Sequence, residues 1–294
     1  MDDDELESLA ARLEASGRYR VLRRLDRVEV SEGDLAAARL GVYLDLETTG
    51  LDATRDEIIE AALVPFRYDE AGRLLEVGEP FCGFREPSRP IPPEVTRLTG
   101  ITDEMVAGHT LDPDALARFI APAAVIVAHN AGFDRAFAER YCQAFQAKPW
   151  ACSLSQVDWK AQGFEGAKLT YLAAQSGFFY TGHRARHDCE AALQILGRPL
   201  PSGETALAAM LAQARRTTWR IWAEHAPFAM KDALKARGYR WNGEAGTAPR
   251  AWWIEVDAEA RDAEVAYLQA EIYQASIEPL MRRVTAYERF SDRL

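Results

Sequence analysis

Cysteine is scarce and scattered: Cys82, Cys142, Cys152 and Cys189 are the four in 294 residues, with no CxxC pair and no cysteine–histidine spacing of the zinc-binding kind. A disulfide scaffold and a zinc module are thereby set aside, and reduced thiols are expected. No apolar run approaches the length that crosses a bilayer, and the acidic opening Met1-Asp2-Asp3-Asp4-Glu5 lacks the basic stretch of a secretory leader. The expectation is a cytoplasmic protein with no membrane partner. Basic residues are in the minority, 35 Lys and Arg against 45 Asp and Glu, for a net charge of −10. That excess argues against coating nucleic acid through bulk electrostatics. It leaves room for a nucleic-acid enzyme, because carboxylates holding divalent cations make a local positive site for phosphate. Repeats and low-complexity tracts are missing too. What is present, 48% apolar and 27% charged residues, is the composition of a globular protein.

Three segments are expected: a helical N-terminal extension (1–38), an α/β domain (39–200) and a small α+β domain (201–294). Leu6, Leu9, Ala10 and Leu13 have helical spacing up to Ser16-Gly17, and Tyr19 to Val30 continues irregularly or as a second short helix. Leu40 to Glu47 reads as a strand, and Glu57 to Tyr68 with Leu74 to Phe84 as a hairpin around Asp69-Glu70-Ala71-Gly72. After Pro87 to Pro93 come two short helices, the second capped by Thr102. Ala123 to Ala128 fits a buried strand, and helices are expected over 132–145, 169–177 and 188–196. The composition break Arg198-Pro199-Leu200-Pro201-Ser202-Gly203 marks a linker. Beyond it the pattern predicts a helix over 205–224, a shorter helix ended by Gly238, strands over 239–242 and 251–256, a long helix over 258–275 and a helical tail.

Four acids stand where the pattern turns them inward. Asp45 and Glu47 are two apart on a strand and share one face. By itself such a pair is common at a solvent-facing strand end, yet two adjacent acids are costly unless cations sit between them. Asp134, in Asn130-Ala131-Gly132-Phe133-Asp134, starts a stripe with Phe137, Ala138 and Tyr141. A buried carboxylate needs a partner, either an arginine or a metal. Asn130 reads as an N-cap or a substrate contact. Asp188 opens a stripe continued by Ala191, Ala192 and Ile195, and His183 precedes it in a loop with Gly182, Arg184 and Arg186. A loop histidine is commonly only a surface residue, but histidine is the side chain suited to taking a proton near neutral pH. His187, beside Asp188, is expected to point off the carboxylate face. Together the acids and His183 suit phosphoryl chemistry with two hard cations, Mg²⁺ or Mn²⁺, about 3.5–4 Å apart.

Over roughly 41–196 the sequence resembles the DnaQ-like DEDDh exonuclease family, which includes the proofreading epsilon subunit of bacterial DNA polymerase III. Val42 to Gly50 looks like its first motif, His129 to Asp134 its second, and His183-x-Ala185-x-x-Asp188-x-x-Ala191 its third. Ile91 to Val95 and Leu98 to Met105 match the linking stretch, with one departure at Leu98-Thr99-Gly100, where many members have a histidine before the glycine. The resemblance implies a ribonuclease-H-like mixed sheet flanked by helices and 3′→5′ hydrolysis releasing nucleoside 5′-monophosphates. It assigns two Mg²⁺ or Mn²⁺ ions to Asp45, Glu47, Asp134 and Asp188, and general base to His183. It also implies that Thr48, Thr49, Leu51, Asn130 and Phe133 line the pocket for the terminal nucleotide.

Between Arg215 and Arg250 arginines and lysines outnumber Glu224, Asp232 and Glu244, and Trp219, Trp222, Trp241, Trp252 and Trp253 are interleaved. Such a mixture serves single-strand binding. Against that, Trp252 and Trp253 must face opposite sides of a strand and Trp219 and Trp222 would share a helix face, so most are expected to be core. The expected partner is single-stranded nucleic acid with a 3′ end, DNA before RNA, in a replication or repair setting. The alternatives are an RNA 3′→5′ exonuclease and a non-catalytic binding module of a replication or repair complex; intact acids and His183 weigh against the latter.

Overall fold

In the computed structural model, which describes residues 2–243 and 248–294 and so leaves Glu244 aside, helix α1 (Asp3–Ala15) starts at a capping box between Asp2 and Glu5. It stops at Ser16, and Gly17 follows with a φ of 68°. No second helix forms over 19–30; the segment runs extended and contributes β1 (Arg23–Arg24).

The main sheet is built from β2 (Arg39–Thr48), β3 (Ile58–Tyr68), β4 (Leu74–Val77) and β5 (Phe81–Phe84). Strand β3 runs antiparallel to β2, and both β4 and β5 pair with β3, separated by Gly78-Glu79-Pro80. Helices α2 (Pro93–Thr99), α3 (Asp103–Val106) and α4 (Pro113–Ile120) follow. Thr102 stands at the N-cap of α3 but makes no side-chain capping bond; the Asp103 carboxylate instead accepts the Ile91 N–H at 2.9 Å. Next come β6 (Val125–Ala128), α5 (Ala131–Tyr141) and β7 (Trp150–Cys152). The strand order is β4-β3-β2-β6-β7, with β6 parallel to β2 and β7 parallel to β6. Helix α6 (Leu169–Gln175) leads to β8 (Phe178–Phe179), which pairs with β1, and to α7 (Ala185–Gly197).

Alternation along β2 makes two apolar layers. Tyr43 faces the layer that holds Cys189, Ala191 and Ala192 of α7, small side chains that let the helix lie close to the sheet. Val42, Leu44 and Leu46 face the layer that holds Leu116 and Ile120 of α4 and Phe137 and Ala138 of α5. The result is the expected α/β mixed sheet flanked by helices. Helix α8 (Ala206–Arg215) adds Leu207, Met210 and Leu211 to the first layer.

A second sheet comprises β9 (Thr218–Ala223), β10 (Arg240–Trp241), β11 (Trp252–Asp257) and β12 (Met281–Val284), in the order β10-β11-β9-β12, with α9 (Lys231–Ala236) and α10 (Arg261–Tyr267). Two expectations fail here. The helix over 205–224 ends at Arg215, because Thr218, Trp219, Ile221 and Trp222 favour a strand in which Ile221 and Ala223 face a core. Trp219 and Trp222 therefore lie on opposite faces of a strand instead of one face of a helix. The tail is not helical either: β12 pairs with β9, and the last residues turn back onto α5 and β7. Among the described residues no helix is long and apolar enough to cross a membrane.

Candidate active site

Strand β2 presents Asp45 and Glu47 on the face that carries α7, since side chains two apart on a strand point the same way. Helix α7 starts at Ala185, three residues earlier than the sequence suggested, and holds Asp188 in its first turn. One carboxylate oxygen each of Asp45, Glu47 and Asp188 lies within 4.8 Å of the others. Asp134, in the first turn of α5 and 2% exposed, adds its charge to Asp45 without belonging to that tight trio. Among the described residues no arginine pairs with Asp134; the groups that favour its ionised form are its own N–H and that of Leu46.

Crowding these acids has an electrostatic consequence. Burial, followed by Asp134, Asp188, Glu47 and Glu60, pushes the Asp45 carboxyl far above the usual range. Glu47 is pushed up to about 8, first by burial and then by Asp188 and Glu60, with Arg184 opposing. Asp134 is raised mainly by burial, and so is Asp188, although hydrogen bonds to Asp188 resist the shift. An all-oxygen donor set that resists ionisation by itself fits hard divalent cations, whose charge would replace the missing counter-ions.

Two neighbours, Tyr180 and Glu60, escape the sequence reading, in which Arg184 figures only as a basic loop residue. The Tyr180 hydroxyl donates to Asp188 Oδ1 at 2.8 Å, and the Arg184 N–H to Oδ2 at 3.1 Å. Glu60 lies opposite Glu47 in the β2–β3 register, which shifts immediately afterwards at Thr48, a bulge at the edge of the site. Its buried carboxylate binds the Arg184 guanidinium at 2.9 Å and the Ala185 N–H at 3.1 Å, tying the start of α7 to the sheet. Only the resulting contacts identify these residues, since a tyrosine eight positions before an acid and a glutamate within an apolar strand carry no local pattern.

The remaining candidates are placed as follows. His183 is exposed in the loop before α7, in the left-handed region at φ 62°, and its proximity favours ionised Asp188. His187 is exposed and turns its Nδ1 toward the Thr181 carbonyl at 3.2 Å, off the carboxylate face. His129 is partly buried between Ser153 Oγ and the Ala167 carbonyl. Thr48 donates to the Gly50 carbonyl at 2.6 Å, and Thr49 Oγ1 accepts the Glu57 N–H at 3.0 Å, so both hydroxyls brace the 48–57 turn. A Cβ at Gly50 would lie 2.5 Å from the Asp56 carboxylate, which accepts the Asp52 N–H, so a larger residue there would displace that side chain. Leu51 is 87% exposed, an apolar side chain held out in solvent on the turn that follows β2. Asn130 makes no capping bond through its side chain; it adopts a left-handed φ of 72° at the start of α5. Phe133 packs against Phe137 with ring centres 5.0 Å apart and planes tilted by 51°.

The family model of the RNase_T exonuclease domain matches residues 42–196, just over half of the chain. The chain is 31% identical over 161 residues to the DNA polymerase III epsilon subunit of Treponema pallidum, covering 51% of this chain and 72% of that protein. It is 30% identical over 178 residues to a PolC-type DNA polymerase III of Caldanaerobacter subterraneus subsp. tengcongensis, covering 58% of this chain and only 12% of the relative. Among solved structures, one of exonuclease I aligns over 85% of this chain and 63% of its own, with a TM-score of 0.50 at 16% identity, a likeness of fold.

Proposed function

Because the chain belongs to the RNase_T exonuclease family, we propose that it is a nuclease that removes nucleotides from the 3′ end of single-stranded DNA and releases nucleoside 5′-monophosphates. The observation that carries this reading is the convergence of Asp45, Glu47 and Asp188 within 4.8 Å, with buried Asp134 beside Asp45. These four acids would hold two Mg²⁺ or Mn²⁺ ions. When bound, such ions supply Lewis-acid charge that activates a water and stabilises the leaving 3′ oxygen.

The chain's own residues set the geometry around that chemistry. His183 is the general base: a ring nitrogen takes the proton of the attacking water as the new oxygen–phosphorus bond forms and the bond to the 3′ oxygen breaks. Tyr180 and the Arg184 N–H fix the two oxygens of Asp188, leaving their remaining lone pairs for ligation. Exposed Leu51 and Asn130 and half-buried Phe133 form the surface for the terminal nucleotide, while Thr48 and Thr49 hold the turn that presents Leu51. DNA is preferred to RNA as substrate on the strength of the DNA polymerase III relatives, which also support a replication or repair setting.

Polarity is tested by digesting single strands labelled at either end in Mn²⁺. Shortening of 5′-labelled strands in single steps, with 3′-labelled strands losing all label as mononucleotide at once, is the expected result. Internal cuts, or stepwise shortening from the 5′ end, would replace this reading.

A further inference from the structure

Between the two sheets lies a cleft of about 350 Å³, walled by the outer face of β9 and β11 and by the segment that follows β7. Its charge is unbalanced. Arg220 on β9 stacks over the Trp253 ring at 4.2 Å, with Arg240 near the same ring at 5.6 Å, and Arg282 stands opposite Arg220 across the β9–β12 register. Glu255, the acid in this wall, is shared: it accepts Thr218 Oγ1 at 2.5 Å, Arg289 Nε at 3.3 Å and Arg220 Nη2 at 3.3 Å. Arg289 is spent on holding backbone carbonyls of Ala214 and Arg216. Arg220 is not: its Nε is the buried side-chain nitrogen without a hydrogen-bond partner among the described residues. A guanidinium N–H shut away from water and left without an acceptor is costly, so this cation is under-compensated where it sits in the cleft wall.

Buried hydrogen bonds link the cleft to the helix that carries Asp134. Gln156, on its rim, accepts the Cys152 N–H at 2.8 Å, and Cys152 Sγ accepts the N–H of Ala131, the first residue of α5. Helix α5 carries Asp134 three residues later. Phe290, which lines the cleft, packs in the same apolar layer as Phe133. Phe290 has a φ of 72°, an unusual backbone for a bulky side chain, so the wall is held in place at some cost.

We infer that this cleft is a phosphate subsite for the substrate strand: Arg220 and Arg240, oriented by Trp253, hold a phosphodiester on the 5′ side of the terminal nucleotide. Arginine is suited to the role because its planar fork matches phosphate oxygens and because stacking on an indole fixes it before binding. Burial, and then the proximity of Arg282 and Arg240, disfavours the Arg220 cation against the pull of Glu255, a conflict that a phosphate would resolve. With both ring neighbours of Trp253 cationic, the tryptophan serves as a platform for arginines and not as a stacking surface for bases. The inference rests on the nuclease reading for the identity of the strand.

The test is equilibrium binding of a fluorescent 12-nucleotide single strand and of a dinucleotide in EDTA, with inorganic phosphate and a nucleoside 5′-monophosphate as competitors. Arg220→Gln and Arg240→Gln are expected to weaken binding of the 12-mer about tenfold each near 0.1 M salt and to make the log Kd–log salt slope shallower by about 0.7 each. Arg240→Lys should recover most of the loss, and the dinucleotide should bind the variants and wild type alike. Arg240 is exposed and, among the described residues, outside any salt bridge, so Arg240→Gln remains informative if Arg220→Gln fails to fold. Unchanged 12-mer binding by a folded Arg240→Gln would overturn the inference. Equal losses for the dinucleotide, or a monophosphate that competes fully through these arginines, would overturn it in favour of a site for product. Parallel digestion in Mn²⁺ separates the two claims. Wild-type shortening with unchanged variant binding sinks the cleft alone, whereas arginine-dependent binding without any shortening sinks the nuclease reading alone.

Discussion

At the scale of single residues, the carboxylates make opposite demands with and without cations. The folded-state values of Asp45, Glu47, Asp134 and Asp188 are raised, so the folded protein binds more protons than the unfolded chain. Their contribution to stability is then complete below the ordinary carboxylate range and is lost as pH rises toward the Glu47 value of about 8. In EDTA the melting temperature should therefore fall between about pH 5 and pH 8, and Mn²⁺ should raise it far more at pH 8 than at pH 5. A melting temperature independent of pH and of Mn²⁺ would contradict this. Asp45→Asn should raise the melting temperature in EDTA at pH 8 while removing activity, and scanning calorimetry with an activity assay checks both. The positions of these acids could be read from the sequence because each has a local mark: a two-residue spacing on a strand, or the head of an apolar helical stripe. Glu60, Tyr180 and Arg184 have no such mark; they acquire their roles only when β3 and the loop before α7 meet at Asp188 and Glu47. Tyr180→Phe, which deletes the bond to Asp188, is expected to weaken Mn²⁺ activation or turnover by about 10- to 100-fold. A metal titration of activity that superposes on wild type would show that the hydroxyl does no positioning.

At the scale of elements, the same rules that located the first sheet misread part of the second. Strand β2 announces itself through alternation, and α7 through its stripe of small residues against the sheet. Residues 218–223 follow a good helix former without a glycine or proline between them, and the period-2 pattern is short enough to be absorbed into the helix. Strand β12 is legible only through its partner β9, since Met281-Arg282-Arg283-Val284 has little alternation of its own. The loop joining β8 to α7 is the element on which the reaction depends most, because it carries His183. His183→Asn should lower turnover by about 10²–10⁴-fold, with strand binding in EDTA unchanged. Loss of strand binding to the same extent as turnover would assign His183 to binding instead.

Across the whole molecule, the C-terminal segment closes onto the helix that bears Asp134. Arg135, the next residue, is fully buried; it bonds Glu139 at 2.6 Å and the carbonyls of Arg289 and Tyr287, both at 2.6 Å, and its guanidinium lies 5.4 Å from the Trp150 ring. Glu139 in turn accepts Ser291 and Arg293, and Arg289 reaches back to Thr218 and Glu255. The two sheets are thus joined by a buried network that no stretch of sequence reveals, because its members lie about 150 positions apart, as Arg135 and Arg289 do. Truncating one partner of a buried ion pair costs about 3–5 kcal/mol, so Arg135→Ala should lower the denaturation free energy by that order, readable by urea unfolding. A change below about 1 kcal/mol would mean that the network contributes order without stability. The central claim, a divalent-ion nuclease built on these acids, is tested most directly by digesting single-stranded DNA with wild type and Asp45→Ala, each in Mn²⁺ and in EDTA. Shortening from the 3′ end by wild type in Mn²⁺ alone is the expected result. Shortening that persists in EDTA or in Asp45→Ala, or none under any condition while the protein still binds the strand, would contradict it.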